Sequence, residues 1–158
     1  MSDLPSILKH GLPASGDGRD QLGRRGEFLA SQFLETNGYR LVLSNFKVPI
    51  GRNSRGISVT GEIDVVAVDG ETLCFIEVKT RTSASFAEPL AGVTRRKQRQ
   101  IIRMARVYRR IFNLSQMPHR FDVVSVILER DADPKIELIK SFFTESRFRK
   151  KFWSGDIY

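Results

Sequence analysis

At 158 residues the chain is long enough for a single domain with a substantial core. Its hydrophobic content of 41% includes no run as long as a membrane span, and its one cysteine, Cys74, excludes an intrachain disulfide and a cysteine-based metal site. A formal net charge of +8 favours an anionic partner, nucleic acid before others, with basicity for solubility alone as the plainer alternative.

Residues 1–20 are polar, are punctuated by Pro5, Gly11, Pro13, Gly16 and Gly18, and contain no apolar signal-peptide segment. They read as a flexible arm, and the expected compartment is the cytoplasm. A first helix is predicted from Arg19 or Asp20 to Asn37, stopped by Gly38. Leu29, Ala30, Phe33 and Leu34 form its apolar stripe. At about 100° per residue Glu27 falls on the rim of that stripe, along the edge of the core, unless it is an ordinary exposed residue beside Arg24 or Ser31. A strand is predicted over 39–48, ending or bulging near Ser44-Asn45. Residues 49–60, with Gly51, Asn53 and Gly56, read as a mobile loop whose Arg52 and Arg55 are candidates for phosphate contact.

The centre of the chain is a hairpin. Two runs rich in Val, Ile and Phe flank Asp69-Gly70, a strong turn signal. A symmetric loop sets Asp64 opposite Glu77 and Glu62 opposite Lys79, with Glu62 and Asp64 on one strand face and Glu77 and Lys79 on the facing one. Like charges directly opposite destabilise a sheet. The neighbours Ile63, Val65, Val66, Ala67, Phe75, Ile76 and Val78 point to burial on both faces, so something positive is needed between the carboxylates. A hard divalent cation with oxygen ligands meets that need, with Lys79 beside it as a point charge. A Glu62–Lys79 ion pair with Asp64 at a wet strand end is the plainer alternative, and it leaves Asp64 against Glu77 unexplained. Cys74 reads as a small core residue.

A connector over 82–92, containing Pro89, leads to a second helix predicted from Thr94, its N-cap, to Phe112. Its buried face is Ile101, Met104, Ala105, Tyr108, Ile111 and Phe112. Arg95, Arg99, Arg103, Arg106 and Arg110 lie opposite, as a stripe for a phosphate backbone or as a solvated face. Lys97 and Gln98 fall one turn before Ile101 and face the sheet, flanking the carboxylates. Residues 121–128 read as a strand, and 136–143 as a strand or short helix. The segment 147–153 interleaves basic and aromatic residues, suited to nucleic acid or to folding back on the domain. His10 and His119 have no metal-type partners. The order α-β-β-β-α-β plus one further element gives an α/β class with a mixed β-sheet and helices on its faces.

Asp64 followed by Glu77-Val78-Lys79 resembles the D…(D/E)xK signature of restriction-endonuclease-like nucleases. The series Gly23-Arg24-Arg25-Gly26-Glu27, Gly61-Glu62-Ile63-Asp64, Phe75-Ile76-Glu77-Val78-Lys79-Thr80-Arg81, Lys97-Gln98 and Arg120-Phe121-Asp122-Val123-Val124 closely resembles the uncharacterised bacterial YraN family, endonuclease-like and similar in fold to Holliday-junction resolvases. The resemblance covers about 22–143; the 49–60 segment is longer than the family pattern and the basic tail is an addition. It implies a restriction-endonuclease-like fold of the PD-(D/E)xK nuclease superfamily, with 1–20 as an arm, 21–143 as the nuclease-like domain and 144–158 as a tail. It implies Asp64 and Glu77 as ligands of Mg2+ or Mn2+, with the Val78 carbonyl. Lys79 would orient water or stabilise charge on phosphorus, and Glu27 would be the extra helical acid. The implied catalytic residues are thus Glu27, Asp64, Glu77 and Lys79, and the expected nucleic-acid contacts are Lys97, Gln98, Arg81, Arg95, Arg99 and Arg103.

The expected function is a metal-dependent phosphodiesterase, an endonuclease on DNA in preference to RNA, with branched or structured DNA among its candidate substrates. No membrane partner is expected, and a homodimer is expected by analogy. The alternative is a nucleic-acid-binding module with a catalytically silent nuclease fold. A third reading is a partner-binding protein that docks through its tail.

Overall fold

The computed structural model describes residues 18–82 and 92–148. Along the chain run α1 (Gly18–Thr36), β1 (Arg40–Arg52), β2 (Ser58–Asp69), β3 (Thr72–Thr82), α2 (Arg95–Ile111), β4 (His119–Leu128), β5 (Lys135–Phe143) and a short 3-10 helix (Glu145–Phe148). The strands form one sheet in the order β1-β2-β3-β4-β5. Neighbours are antiparallel except β3 and β4, which are parallel, with α2 in the connection between them. The fold is mixed α/β, and the undecided final element is a strand. The arm over 1–17, the connector over 83–91 and the tail beyond Phe148 lie outside the described residues.

Each helix covers its own face of the sheet. Ala30 and Leu34 of α1 pack with Val65, Ala67, Cys74, Ile76, Val78, Val124 and Val126. Ile101, Met104, Ala105 and Tyr108 of α2 pack with Ile63, Val66, Phe75, Phe121 and Val123. Burial of β3 on both faces explains why its sequence is a nearly continuous apolar run rather than an alternating one. Thr94 caps α2, its hydroxyl accepting from the Lys97 backbone N–H at 3.2 Å, which fixes where the first turn begins. Gly61 lets β2 pass close to α2: a Cβ there would lie 2.2 Å from Met104 Sδ.

Two sequence expectations are overturned. Residues 49–60 are not a mobile loop. β1 continues to Arg52 and β2 begins at Ser58, so the segment is a long hairpin. The Asn53 side chain closes its turn, accepting from the backbone N–H of Arg55 at 2.9 Å and of Ile57 at 3.0 Å. Ile111 and Phe112 are not buried but are 58% and 51% exposed. Tyr108 fills the last buried position of α2, edge-on to Phe46 and Phe75. Phe112 is the C-cap, with φ −95° and ψ 9°, and has left the helical phase that the expectation relied on.

Candidate functional site

β2 and β3 pair in the expected register from Asp69↔Thr72 to Val65↔Ile76, and there their ladder ends. β3 goes on with β4, through Glu77↔Val123 and Lys79↔Ser125 to Thr82↔Leu128. β2 goes on with β1, through Phe46↔Ile63 and Lys47↔Glu62. The sheet forks where Asp64 and Glu77 would have formed the next pair. The Val78 N–H, released from the β2 ladder, donates to Asp64 Oδ2 at 2.8 Å. A side chain thus takes the place of a ladder carbonyl. The alternation of β2 also breaks here, since Ile63 joins the core beneath α2 and Val65 the core beneath α1. On β1, Asn45 lies between Ser44↔Val65 and Phe46↔Ile63, across from Asp64, and holds φ at 54°. Asparagine is among the few residues that tolerate that conformation.

The expected Glu62–Lys79 opposition is a correction. Glu62 pairs instead with Lys47 at 3.4 Å, and Lys79 Nζ lies 2.8 Å from Glu77 Oε1. Because the ladder ends at Val65 and Ile76, Glu62 and Lys79 never become cross-strand partners. The plainer alternative offered for the hairpin therefore fails.

Glu77 is 3% exposed and has a second cation, Lys97 Nζ, 3.3 Å from Oε2. That contact lacks hydrogen-bond geometry, and Oε2 has no hydrogen-bond donor among the described residues. Gln98, also buried, donates through Nε2 to the Val93 carbonyl at 2.9 Å, while its Oε1 likewise has no donor among the described residues. Burial first, and then the Glu77 carboxylate, push Asp64 up to about 7; the Val78 N–H and Lys97 oppose the shift. Glu27 is also raised, by burial first and then by Glu62 and Glu77, against a hydrogen bond from Asn45 and the charge of Lys47.

Glu27 reaches the fork because α1 lies directly on β3: a Cβ on Gly26 would fall 1.7 Å from Thr80 Oγ1. The structure thus brings together Glu27, Asp64, Glu77, Lys79 and Lys97, while Gln98, next to Lys97 in the first turn of α2, bonds the Val93 carbonyl. Arg81 joins them at one side. A Cβ on Gly92, in the lead-in to α2, would lie 3.3 Å from Arg81 Nη2 and 3.4 Å from Lys79 Cδ. Arg95, Arg99 and Arg103 are exposed on the outer face of α2. Arg99 lies 5.4 Å over the Phe148 ring, and Arg106 pairs with Glu145 at 2.9 Å, so the 3-10 helix sits against this stripe. Asn45 and Lys47 belong to the site and are absent from the sequence expectation, which had β1 ending or bulging at Ser44-Asn45; the strand runs on to Arg52, and its register shifts lie at Leu41/Leu43 and Pro49/Gly51.

The Arg120…Asp122 segment proves architectural. Asp122 is fully buried, accepts from Arg120 Nε, and takes the Ser141 N–H at 2.8 Å. Arg120 Nη2 bonds Tyr39 Oη and Asp69 Oδ2, each at 2.7 Å, tying the β2–β3 turn to β4 and to the start of β1. Cys74 is buried and its thiol is pushed up to about 12 by burial, as suits a small core residue.

The family model described as "Uncharacterised protein family UPF0102" matches residues 26–126. The chain belongs to the UPF0102 family. A UPF0102 protein of Chlorobium limicola is 39% identical over 132 residues, spanning 84% of this chain and 92% of its own. Another, of Chlorobium phaeobacteroides, is 42% identical over 119 residues, spanning 75% and 86%. The UPF0102 match takes in every fork residue from Glu27 to Gln98. The crystal structure of SSO0001 aligns with 82% of this chain and 56% of its own at TM-score 0.39 and 16% identity, too distant to carry an argument. Among the described residues no three His, Cys, Asp or Glu side chains gather as a metal-ligand group. No described helix is long and apolar enough to cross a membrane.

Proposed function

We propose that this UPF0102 protein is a metal-dependent phosphodiesterase on nucleic acid, an endonuclease acting on DNA, built on a restriction-endonuclease-like fold. One observation carries the reading: Asp64 and Glu77 meet where the sheet forks, with Lys79 2.8 Å from Glu77. A buried acceptor without a hydrogen-bond donor among the described residues, Glu77 Oε2, and an acid at Asp64 pushed up by burial and a like charge both favour a positive guest. Two carboxylates suit Mg2+ or Mn2+, which leave their other positions to water and phosphate oxygens. Asp64 and Glu77 would hold the ion, with the Val78 carbonyl. When bound, it supplies Lewis acidity toward the phosphate and an ionisable water.

The remaining roles belong to the chain. Lys79 presents its ammonium where negative charge grows on phosphorus. Glu27, with its raised pKa, is suited to hold a proton close to the fork. Lys97, Gln98 and Arg81 position a phosphate, and Arg95, Arg99 and Arg103 follow the flanking backbone.

The test is a panel of supercoiled plasmid, four-way branched DNA and single-stranded DNA with Mg2+ or Mn2+, run with wild type, Asp64→Asn and Lys79→Ala. Metal-dependent cleavage that drops by about 100-fold or more in both variants is expected. A second reading, a binding module with a silent site, is favoured by one observation: Lys79 and Lys97 already neutralise Glu77 without a metal. Salt-sensitive DNA binding by wild type without cleavage of any panel member would select it. Cleavage that survives both substitutions would remove the chemistry from the fork.

A further inference from the structure

Lys97 stands apart from the other basic residues of α2. Its neighbours Arg95, Arg96 and Arg99 are exposed, whereas Lys97 is half-buried and reaches Glu77 from the first turn of the helix. The two ammoniums on Glu77 are held differently. Lys79 is on the same strand as Glu77 and touches Oε1 at 2.8 Å. Lys97 comes from another element, lies 3.3 Å from Oε2, and makes no hydrogen bond with it.

Lys97 also acts on both carboxylates. It pairs with Glu77 and lowers the pKa of Asp64, while Lys79 is not among the main influences on Asp64. Its ammonium thus contacts Glu77 Oε2 and bears on the charge of Asp64. Two carboxylates and two ammoniums balance. Adding a divalent cation beside both ammoniums would overcompensate the two carboxylates in a partly desolvated pocket, where like charges repel strongly. One ammonium must leave; the two lysines are equally open to solvent, at 26% for Lys79 and 27% for Lys97, and the one held at the longer distance, 3.3 Å against 2.8 Å, from a different element, is Lys97.

We propose that in the metal-free protein Lys97 Nζ stands in for a divalent cation between Asp64 and Glu77, and that cation binding displaces it toward the substrate phosphate. The proposal rests on the metal reading above and adds a regulatory step to it. The displaced ammonium gives the cation and the nucleic acid a common switch. By linkage, whatever factor the cation adds to nucleic-acid affinity, the nucleic acid returns to cation affinity. The stand-in also keeps Glu77 paired, since a buried carboxylate left without a partner is strongly destabilising.

The experiment is Mn2+ titration by calorimetry and electron paramagnetic resonance, with no nucleic acid present. It compares wild type, Lys97→Met, Lys97→Arg and Glu77→Gln, each first checked for folding by circular dichroism. Lys97→Met removes the competing charge at similar length and is expected to bind Mn2+ about tenfold more tightly than wild type. Lys97→Arg keeps the charge, so its affinity is expected at or below that of wild type, which also covers the case in which Lys97→Met does not fold. Glu77→Gln is expected to bind at least about tenfold more weakly. Unchanged or weaker Mn2+ binding by Lys97→Met, with Glu77→Gln still impaired, would overturn the stand-in and leave the metal site intact. Lys97→Arg binding more tightly than wild type would also overturn it. Mn2+ binding that is absent from wild type, or indifferent to Glu77→Gln, would overturn both readings together.

Discussion

Asp64 is held against its own charge. Its folded pKa is about 7 against an ordinary 3.8, first through burial and then through Glu77. Between those values the folded protein binds more protons than the unfolded chain, so this group makes stability fall as pH rises through the interval. Above about 7 the cost is fully present; below about 4 it vanishes. In the metal-free protein Asp64→Asn is therefore expected to raise the Tm by about 4 °C or more at pH 8 and by about 1 °C or less at pH 4, read by thermal denaturation. An equal gain at both pH values would mean that the charge on Asp64 is not what strains the fork. The approach of Asp64 to Glu77 was legible because a symmetric turn at Asp69-Gly70 fixes the register as far as Val65↔Ile76, although the ladder ends there and the expected Asp64–Glu77 opposition is not a pair of it. Asn45 was not legible as a site residue. Its φ of 54° and its bond to Glu27 occur across from Asp64, at a fork that no local pattern announces.

At the scale of elements, α1 and α2 were readable from their apolar periodicity, since each buries one stripe against one sheet face. The 49–60 hairpin was misread because Gly51, Asn53 and Gly56 look like loop residues, while pairing across the two strands is a non-local property. Phe112 was misread because its burial was extrapolated past the end of the helix. The contact of α1 with β3 gives a sharper test. Gly26→Ala would set a methyl 1.7 Å from Thr80 Oγ1 and 2.7 Å from its Cβ, too close for a side-chain rotation to relieve. The helix must move away, carrying Glu27 with it. The expected cost is about 2–4 kcal/mol, less the small gain in helix propensity, measured by urea denaturation. A loss under about 0.5 kcal/mol would show that α1 does not need this close approach.

At the scale of the whole molecule, the net charge of +8 is spread unevenly. Arg95, Arg99 and Arg103 line the exposed face of the helix whose first turn also supplies Lys97 to the fork. If this face tracks a phosphate backbone, replacing the three arginines with glutamine should reduce the slope of log affinity against log salt by about 2–3. The measurement is fluorescence anisotropy of a labelled duplex at several salt concentrations. An unchanged slope would make the stripe a solvated face, as charge on an amphipathic helix often is. The mixed sheet with helices on its faces was legible because the element sequence leaves few ways to cover both faces of one sheet, while the strand order comes from the structure alone. Membership in UPF0102, a family described as uncharacterised, assigns the fork no activity.

The most direct test of the central claim is plasmid nicking and DNA binding measured on the same preparations of wild type and Glu77→Gln. The expected result is nicking by wild type in Mg2+ that stops with chelator, a loss of about 100-fold or more in Glu77→Gln, and similar DNA affinity for both proteins in chelator. Wild type that binds DNA but never nicks it in Mg2+ or Mn2+, or Glu77→Gln that nicks as fast as wild type, would contradict a metal-dependent phosphodiesterase at the fork.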